Sequence, residues 1–163
     1  MYKYLGLIVI AMFLFSCGGN STGDSASATK TEESKAASSD DVIELTINGD
    51  DLMKFDKSEL RAKAGSTVKI TLNHTGTMAK TVMGHNLVIL KMGTDVADFA
   101  NRAMTAKDND YIPEGDEVLA TTGLIGGGES TSVTFEAPAK GEYDFICSFP
   151  GHYALMKGKF IVE

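Results

Sequence analysis

The sequence predicts an all-β protein, a sandwich or barrel of short strands with one short helix inserted between two of them. Segments in which apolar and polar residues alternate recur along residues 42–163, as expected of strands that bury one face. Turn signals, among them the run Gly126-Gly127-Gly128, separate these segments. Several short strands spaced in this way favour a β-sandwich or barrel.

The alternating segments define the strands in chain order. Period-two alternation with many β-branched residues is typical of half-buried strands. A nearly continuous apolar run (NLVIL) at residues 86–90 instead predicts a central strand that is buried on both faces. The predicted strands cover residues 42–47, 67–72, 86–90, 132–135, 143–147 and 159–162.

One segment, residues 94–106, departs from the alternation. Its apolar residues recur at the three-to-four-residue spacing of a helix face, and Thr94 stands where an N-cap is expected. The apolar residues at this spacing are Val96, Phe99, Ala100, Ala103 and Met104. The segment therefore predicts one short helix between two strands. The sequence shows no internal repeat and no second domain.

Composition excludes several classes of protein. The chain of 163 residues is 43% hydrophobic, which suits one domain with a substantial core. Its 15 basic and 22 acidic residues give a net charge of −7, and this argues against a nucleic-acid-binding protein. Two cysteines are too few for a disulfide-stapled mini-protein, and a mean hydropathy near zero excludes a protein with many membrane spans.

The first 16 residues have the features of a secretion signal. Lys3 is followed by an apolar run over residues 5–15, which is too short to span a bilayer comfortably. The run ends at Ser16-Cys17 in a pattern that resembles the lipobox of bacterial lipoproteins. That resemblance implies cleavage after residue 16 and a lipid on Cys17. The alternative is an uncleaved N-terminal anchor helix, and both alternatives place the folded part outside the cytoplasm.

Residues 17–41 are predicted to be a lipidated cysteine followed by a flexible tether. Residues 18–41 are acidic and rich in serine, with no aromatic or branched aliphatic side chain, so they cannot bury enough surface to fold. Acyl chains on Cys17 would hold the protein at a bacterial membrane, facing the periplasm or the exterior. Gly18 stands where many lipoproteins of the inner membrane carry Asp, which favours the outer membrane.

A sulfur- and imidazole-rich segment near the C-terminus carries the chemistry. Cys147, His152 and Met156 follow one another with the spacing C-x4-H-x3-M, and His85 lies upstream. Singly, each has an ordinary alternative as a core residue. Together, a strand ending at Cys147 and a tight loop would bring them to one end of the sandwich. One thiolate, two imidazoles and a weak thioether are the donors of a trigonal copper site, and they leave no fourth strong donor for structural zinc.

Several segments resemble the azurins, a family of small blue-copper electron carriers. The most specific are CSFPGHYALMKG at residues 147–158 and MGHN at residues 83–86. The segments LTINGDDLMKFD, TLNHTG and LIGGGESTSVTFE follow the family in the same order, so the resemblance covers residues 42–163. It implies a cupredoxin-like Greek-key β-sandwich, one copper ion cycling between Cu(I) and Cu(II), and an electron carrier rather than an enzyme.

The resemblance also implies a role for each residue of the site. His85, Cys147 and His152 would be the strong ligands, Met156 a distant axial ligand, and the carbonyl of Gly84 a weak contact opposite it. In further support, Asn86 would tie the His85 segment to the Cys147 loop, and a main-chain N–H near Phe149 would donate to the sulfur. His74 matches a histidine that is not a ligand. Ile43 and Gly65 stand where azurins carry a disulfide.

The resemblance further implies an apolar surface around His152 through which electrons pass. Such a surface suits transient redox partners, either membrane-associated or periplasmic, such as c-type cytochromes. The expected protein is a monomer. Two alternatives stay open, namely a lipoprotein that stores or delivers copper and an interaction module with a vestigial site. The predicted docking residues are Met53, Met83, Phe149, Pro150 and Ala154.

Overall fold

The computed structural model describes residues 42–163, in which eight strands, two helices and two 3-10 turns are found. The predicted signal peptide, Cys17 and tether lie outside the described residues. The helices are α1 (Lys80–Met83) and α2 (Val96–Ala103), and the 3-10 turns are Lys107–Asn109 and His152–Ala154. The strands are β1 (Val42–Gly49), β2 (Glu59–Ala62), β3 (Thr67–His74), β4 (Val88–Leu90), β5 (Val118–Thr121), β6 (Ser130–Glu136), β7 (Gly141–Ile146) and β8 (Lys157–Val162).

The strands form two sheets. The three-stranded sheet has the order β1-β3-β6, and the five-stranded sheet has the order β2-β8-β7-β4-β5. β1 runs parallel to β3 and β2 parallel to β8, whereas the remaining pairs are antiparallel. The predicted all-β sandwich with a short inserted helix is confirmed.

The main core lies between the sheets, and a smaller core lies under α2. Ile70 and Leu72 of β3 meet Phe145 of β7 and Phe160 of β8 in the main core. Phe99 of α2 belongs to the smaller core. The other members of the smaller core include Val88, Leu90 and Ile146, whereas Leu87 and Ile89 face the main core. β4 is therefore buried on both faces, as its apolar run predicted.

The helix prediction needs correction at both ends. α2 covers Val96–Ala103 rather than residues 94–106, Met104 after it is exposed, and the N-cap is a different residue. The side chain of Asp95, and not that of Thr94, caps α2 by accepting hydrogen bonds from the N–H groups of Ala97 and Asp98, both at 3.0 Å. Thr94 Oγ1 instead donates to the carbonyl of Lys91. A carboxylate accepts more strongly than a hydroxyl and complements the positive end of the helix.

Two edge strands were not predicted. β2 (ELRA) turns only Leu60 and Ala62 inward, and β5 (VLAT) does not alternate in burial, so each is too short for a clear pattern. The structure also shortens two predicted strands at the site. β7 ends at Ile146, one residue before Cys147, and β4 starts at Val88.

The register of the five-stranded sheet fixes where the site forms. β4 and β7 are antiparallel, with Val88 opposite Ile146, so the residues before β4 and after β7 lie at the same end of the sheet. β7 and β8 pair Ile146 with Lys157, and the loop 147–156 opens at that end. In residues 42–163, no helix has the length and hydrophobicity needed to cross a bilayer.

Candidate metal centre

Main-chain hydrogen bonds fix the position of His85. Its N–H donates to the carbonyl of Ile125 and its carbonyl accepts from the N–H of Ile125, both at 2.9 Å. The fully buried ring places Nε2 2.9 Å from the carbonyl oxygen of Asp50. We assign the proton to Nε2, which donates to that carbonyl, so Nδ1 presents its lone pair toward Cys147. No sequence signal points to Asp50, because its main chain makes the contact.

The loop after β7 supplies the other two strong donors. The N–H of Cys147 donates to the carbonyl of Met156 at 2.9 Å and closes the loop. Gly151 adopts a left-handed conformation, with φ of 83°, which reverses the chain before His152. His152 Nδ1 then lies 3.6 Å from Cys147 Sγ, and His85 Nδ1 lies 3.9 Å from it.

These three ligand atoms fit a metal ion. All three residues are buried, and one donor atom of each lies within 4.8 Å of the others. An ion bonded at about 2.0 Å to nitrogen and about 2.3 Å to sulfur, at trigonal angles, would separate N and S by about 3.7 Å. The observed 3.6 and 3.9 Å match this separation. One soft thiolate with two imidazoles suits copper.

Met156 and Gly84 lie where weak ligands were predicted. Met156 is fully buried, and a Cβ added at Gly49 would lie 3.2 Å from its Cε and 2.8 Å from Cδ2 of His85. Gly49 therefore lets the thioether and the imidazole approach the end of β1. The carbonyl oxygen of Gly84 lies 3.8 Å from Cys147 Sγ. Their roles as ligands stay predictions.

Burial determines the protonation of the metal-free site. It raises the pKa of the Cys147 thiol to about 12, although the main-chain N–H groups of Asn86 and Phe149, which donate to the sulfur, act in the opposite direction. Burial lowers the pKa of His85, and it lowers that of His152 to about 4 with help from the neighbouring histidines. At neutral pH the site therefore holds a thiol and two neutral imidazoles, and a metal ion must displace the thiol proton.

Asn86 joins the segments of His85 and Cys147. Its Oδ1 accepts from the N–H of Ser148 at 2.8 Å, and its Nδ2 donates to Ser148 Oγ at 2.8 Å and to the carbonyl of Asp110 at 2.9 Å. All donors of this fully buried amide are thus satisfied. Ser148 could have been suspected because it follows Cys147, but no sequence signal pointed to Asp110.

His74 lies beside the ligand group and outside it. Its ring stacks on that of His85 with centroids 4.2 Å apart. Its Nδ1 accepts from the N–H of Gly76 at 3.1 Å, so its Nε2 carries the proton and donates to the carbonyl of Met83 at 2.8 Å. Both nitrogens are therefore engaged away from Cys147, in line with the structural role expected of this histidine.

The predicted docking residues occur in α1, which ends at Met83, and in the loops that carry the site. Phe149 is buried, and its ring centroid lies 4.7 Å from that of His152. Met53, Met83 and Pro150 are half-buried, and Ala154 is exposed. His152 is 3% exposed, so little of this residue reaches the surface. Docking stays a prediction. Further exposed apolar side chains in α1 and these loops were not predicted, namely Leu52, Met78, Val82 and Leu155.

Comparisons with known proteins match this fold and site. The family model of copper binding proteins of the plastocyanin/azurin family matches residues 41–163. Azurin-1 of Alcaligenes xylosoxydans xylosoxydans is 48% identical over 120 residues, which are 70% of this chain and 92% of that protein. Outer membrane protein H.8 of Neisseria meningitidis serogroup B is 47% identical over 119 residues, 70% of this chain. The chain covers 64% of the length of H.8.

Solved structures show the same architecture. Auracyanin A of Chloroflexus aurantiacus, described as a "blue" copper protein, superposes with a TM-score of 0.69 at 35% identity, covering 76% of this chain and all of that one. An azurin (Az-iso2) of Methylomonas sp. strain J superposes with a TM-score of 0.68 at 37% identity, covering 74% of this chain and 98% of that one.

Proposed function

This chain belongs to the plastocyanin/azurin family of copper-binding proteins, as the resemblance to the azurins predicted, and we propose that it is a one-electron carrier held at a membrane surface outside the cytoplasm. Its fold is the cupredoxin sandwich and its cofactor is a single copper ion. The observation that carries the proposal is the buried cluster of His85, Cys147 and His152.

The burial of the donors suits electron transfer better than catalysis. Bound copper supplies a one-electron couple, Cu(I)/Cu(II). His85 and Cys147 are fully buried and His152 is 3% exposed, so a substrate has no open path to the site. The donors are also fixed before metal arrives, by Asp50 behind His85 and by the closed loop behind Cys147. The protein is accordingly a carrier and not an enzyme.

We assign the roles in the site as follows. His85, Cys147 and His152 are the strong ligands, and the buried thioether of Met156 and the carbonyl of Gly84 are the weak ones. Asn86 fixes the loop of Cys147 through Ser148, and the N–H of Phe149 donates to the sulfur, which supports a raised reduction potential.

Electrons enter and leave beside His152. The apolar side chains of the segments around the site form a docking face, and an apolar face suits encounters that must dissociate quickly. The partners are membrane-associated or periplasmic redox proteins, such as c-type cytochromes, and the carrier acts as a monomer. The face comprises Met53, Met83, Phe149, Pro150 and Ala154.

Attachment to the membrane is proposed from Cys17. The lipobox pattern and the tether composition support a lipid anchor, and the name of the relative called outer membrane protein H.8 supports the outer membrane. Confinement to one surface raises the effective concentration of membrane-bound partners.

Copper loading tests the carrier function. The metal-free full-length protein, given Cu(II), is expected to develop the intense visible band of a copper–thiolate bond and to cycle reversibly by one electron. Cys147→Ser abolishes the band, whereas Met156→Leu keeps it and raises the reduction potential, because a weak ligand to Cu(II) is lost. A Cys147→Ser protein that stays equally blue contradicts the assignment. Rapid loss of copper to a chelator would indicate copper delivery instead.

Fractionation of cells tests the anchor. The wild-type chain is expected in the membrane fraction, and Cys17→Ser is expected in the soluble extracytoplasmic fraction with an unchanged visible spectrum. Retention of the Cys17→Ser chain in the membrane fraction would contradict lipid anchoring at this residue.

A further inference from the structure

Two consecutive residues after the 3-10 turn that follows α2 adopt a backbone conformation rare for residues with side chains. Asp110 has φ of 50° and Tyr111 has φ of 61°, and neither is glycine. The left-handed region costs free energy for such residues, and they persist there only where the surroundings hold them. Strain of this kind concentrates at functional sites.

Hydrogen bonds on both sides hold this pair in place. The N–H of Tyr111 donates to the carbonyl of Ala106 at 2.9 Å, and the N–H of Ile112 donates to the carbonyl of Asn109 at 2.8 Å. The Asp110 carboxylate accepts from the N–H of Leu124 at 3.3 Å. The conformation is therefore anchored to two other segments of the chain.

Asp110 contacts the metal centre through its main chain. Its carbonyl oxygen accepts from Asn86 Nδ2 at 2.9 Å, and the second hydrogen of that amide goes to Ser148. Asn86 is fully buried, so without this carbonyl one of its N–H groups would have no partner. The left-handed φ of Asp110 aims the carbonyl inward.

Tyr111 contacts the centre through its ring. The ring is buried and meets that of Phe149 edge to face, with centroids 5.0 Å apart at 68°. Phe149 in turn lies against the His152 ring. The two left-handed residues thus each hold one neighbour of Cys147.

Those two neighbours share a function, because the main-chain N–H groups of Asn86 and Phe149 both donate to the Cys147 sulfur. Hydrogen bonds to a ligating sulfur tune the reduction potential of such sites. We propose that Asp110 and Tyr111 are positioning residues of the metal centre, whose left-handed backbone keeps both N–H groups directed at this sulfur. This inference rests on the proposed copper site.

Two matched pairs of variants test the inference in the full-length protein. Asp110→Gly and Asp110→Val both lose the carboxylate, but glycine adopts a positive φ freely and valine resists it. Tyr111→Phe keeps the ring contact with Phe149, and Tyr111→Ala removes it.

The first readout is the oxidation equilibrium of the copper protein against a one-electron mediator. Asp110→Val and Tyr111→Ala are expected to shift it at least about threefold toward the oxidised protein, because the sulfur loses hydrogen bonds that favour the reduced state. Asp110→Gly and Tyr111→Phe are expected to restore the wild-type equilibrium. Equal shifts within each pair, or none in Asp110→Val and Tyr111→Ala, would overturn the inference.

The second readout needs no metal. Hydrogen exchange at the main-chain N–H groups of Asn86 and Phe149 in the metal-free protein is expected to quicken at least about fivefold in Asp110→Val and Tyr111→Ala, with β6 unchanged. Uniform quickening along the chain would indicate a merely structural role and overturn the inference. If Asp110→Val does not fold, the Tyr111 pair decides. A wild-type protein that takes up no copper refutes the proposed function, and exchange then still tests the positioning.

Discussion

At the scale of single residues, close approach governs the site as much as ligand chemistry does. Gly49 ends β1 against the His85 ring and the Met156 methyl group, where any Cβ would collide. Gly84 is crowded as well, since a Cβ there would lie 2.9 Å from Cδ2 of Phe149. Two glycines thus let the donors pack without intervening side chains.

Gly49→Ala tests this close packing. The added Cβ would lie 2.8 Å from Cδ2 of His85, so the ring must shift, and overpacking of this kind costs about 1–3 kcal/mol. Urea unfolding of the metal-free protein and the rate of copper loss measure the effect. Gly123→Ala is the matched control, because its Cβ meets only Thr131 Oγ1 at 3.7 Å. Equal stability of the two variants would refute the argument.

The residues of the candidate site differ in how far sequence could reveal them. Cys147 and His152 could be predicted because their spacing is local and their side chains are distinctive. The carbonyls of Asp50 and Asp110 could not, because a main-chain oxygen is present at every residue and only the fold aims it. Tyr111 was equally hidden, since its contact depends on a backbone conformation that no spacing predicts.

At the scale of elements, α2 shows how a cap locates a helix. Both Thr94 and Asp95 are good N-cap types, and the apolar period alone does not choose between them. In the structure the N-cap is Asp95, whose carboxylate accepts hydrogen bonds from two N–H groups.

Asp95→Ala is expected to destabilise the protein by about 1 kcal/mol, because α2 loses the acceptor for two N–H groups. Chemical denaturation of the metal-free protein measures the loss. Asp95→Asn keeps an acceptor oxygen and should recover most of it. Thr94→Ala, which removes only a turn hydrogen bond, should lower the stability clearly less. A larger loss of stability in Thr94→Ala than in Asp95→Ala would show that Thr94 is the N-cap.

Strands were predictable where one face is buried over several residues. β3 alternates along its whole length, whereas β2 offers only two inward side chains. Pairing is a further step, since the parallel pairs β1–β3 and β2–β8 join segments far apart in the chain, and local alternation carries no information on partners.

At the scale of the whole molecule, folding without metal buries three ionisable groups of the site, and this burial costs free energy. Folding moves the Cys147 thiol and two imidazoles out of water together, and each keeps its neutral form. Packing of the surrounding sandwich offsets this cost in free energy. No disulfide contributes in residues 42–163, since Cys147 is a free thiol.

The stability of the metal-free protein is therefore expected to peak between about pH 6.5 and 9. Below pH 6.5 the unfolded histidines take up protons that folded His152, with its pKa lowered to about 4, does not, so stability falls with pH. The slope is at most about 1.4 kcal/mol per pH unit for each of His85 and His152, the two histidines whose pKa is lowered. Above pH 9 the unfolded thiol ionises while folded Cys147, with its pKa near 12, does not, so stability falls again.

Urea midpoints from pH 5 to 10 measure this profile. Cys147→Ser has no titrating group at that position and should lose the alkaline decline while keeping the acid one. A wild-type midpoint that stays constant from pH 7 to pH 5 would show that the buried imidazoles do not resist protonation.

The loop 147–156 joins two strands whose terminal residues, Ile146 and Lys157, already face each other across the sheet. Its two ends are thus fixed by the sheet, whatever lies between them. A segment of another length could be exchanged at this hairpin without moving the strands, and it would alter the partners of Cys147 while leaving His85 seated on Asp50. The scaffold can thus host variants of the centre with different coordination, and in evolution one half of the site can change while the other stays fixed.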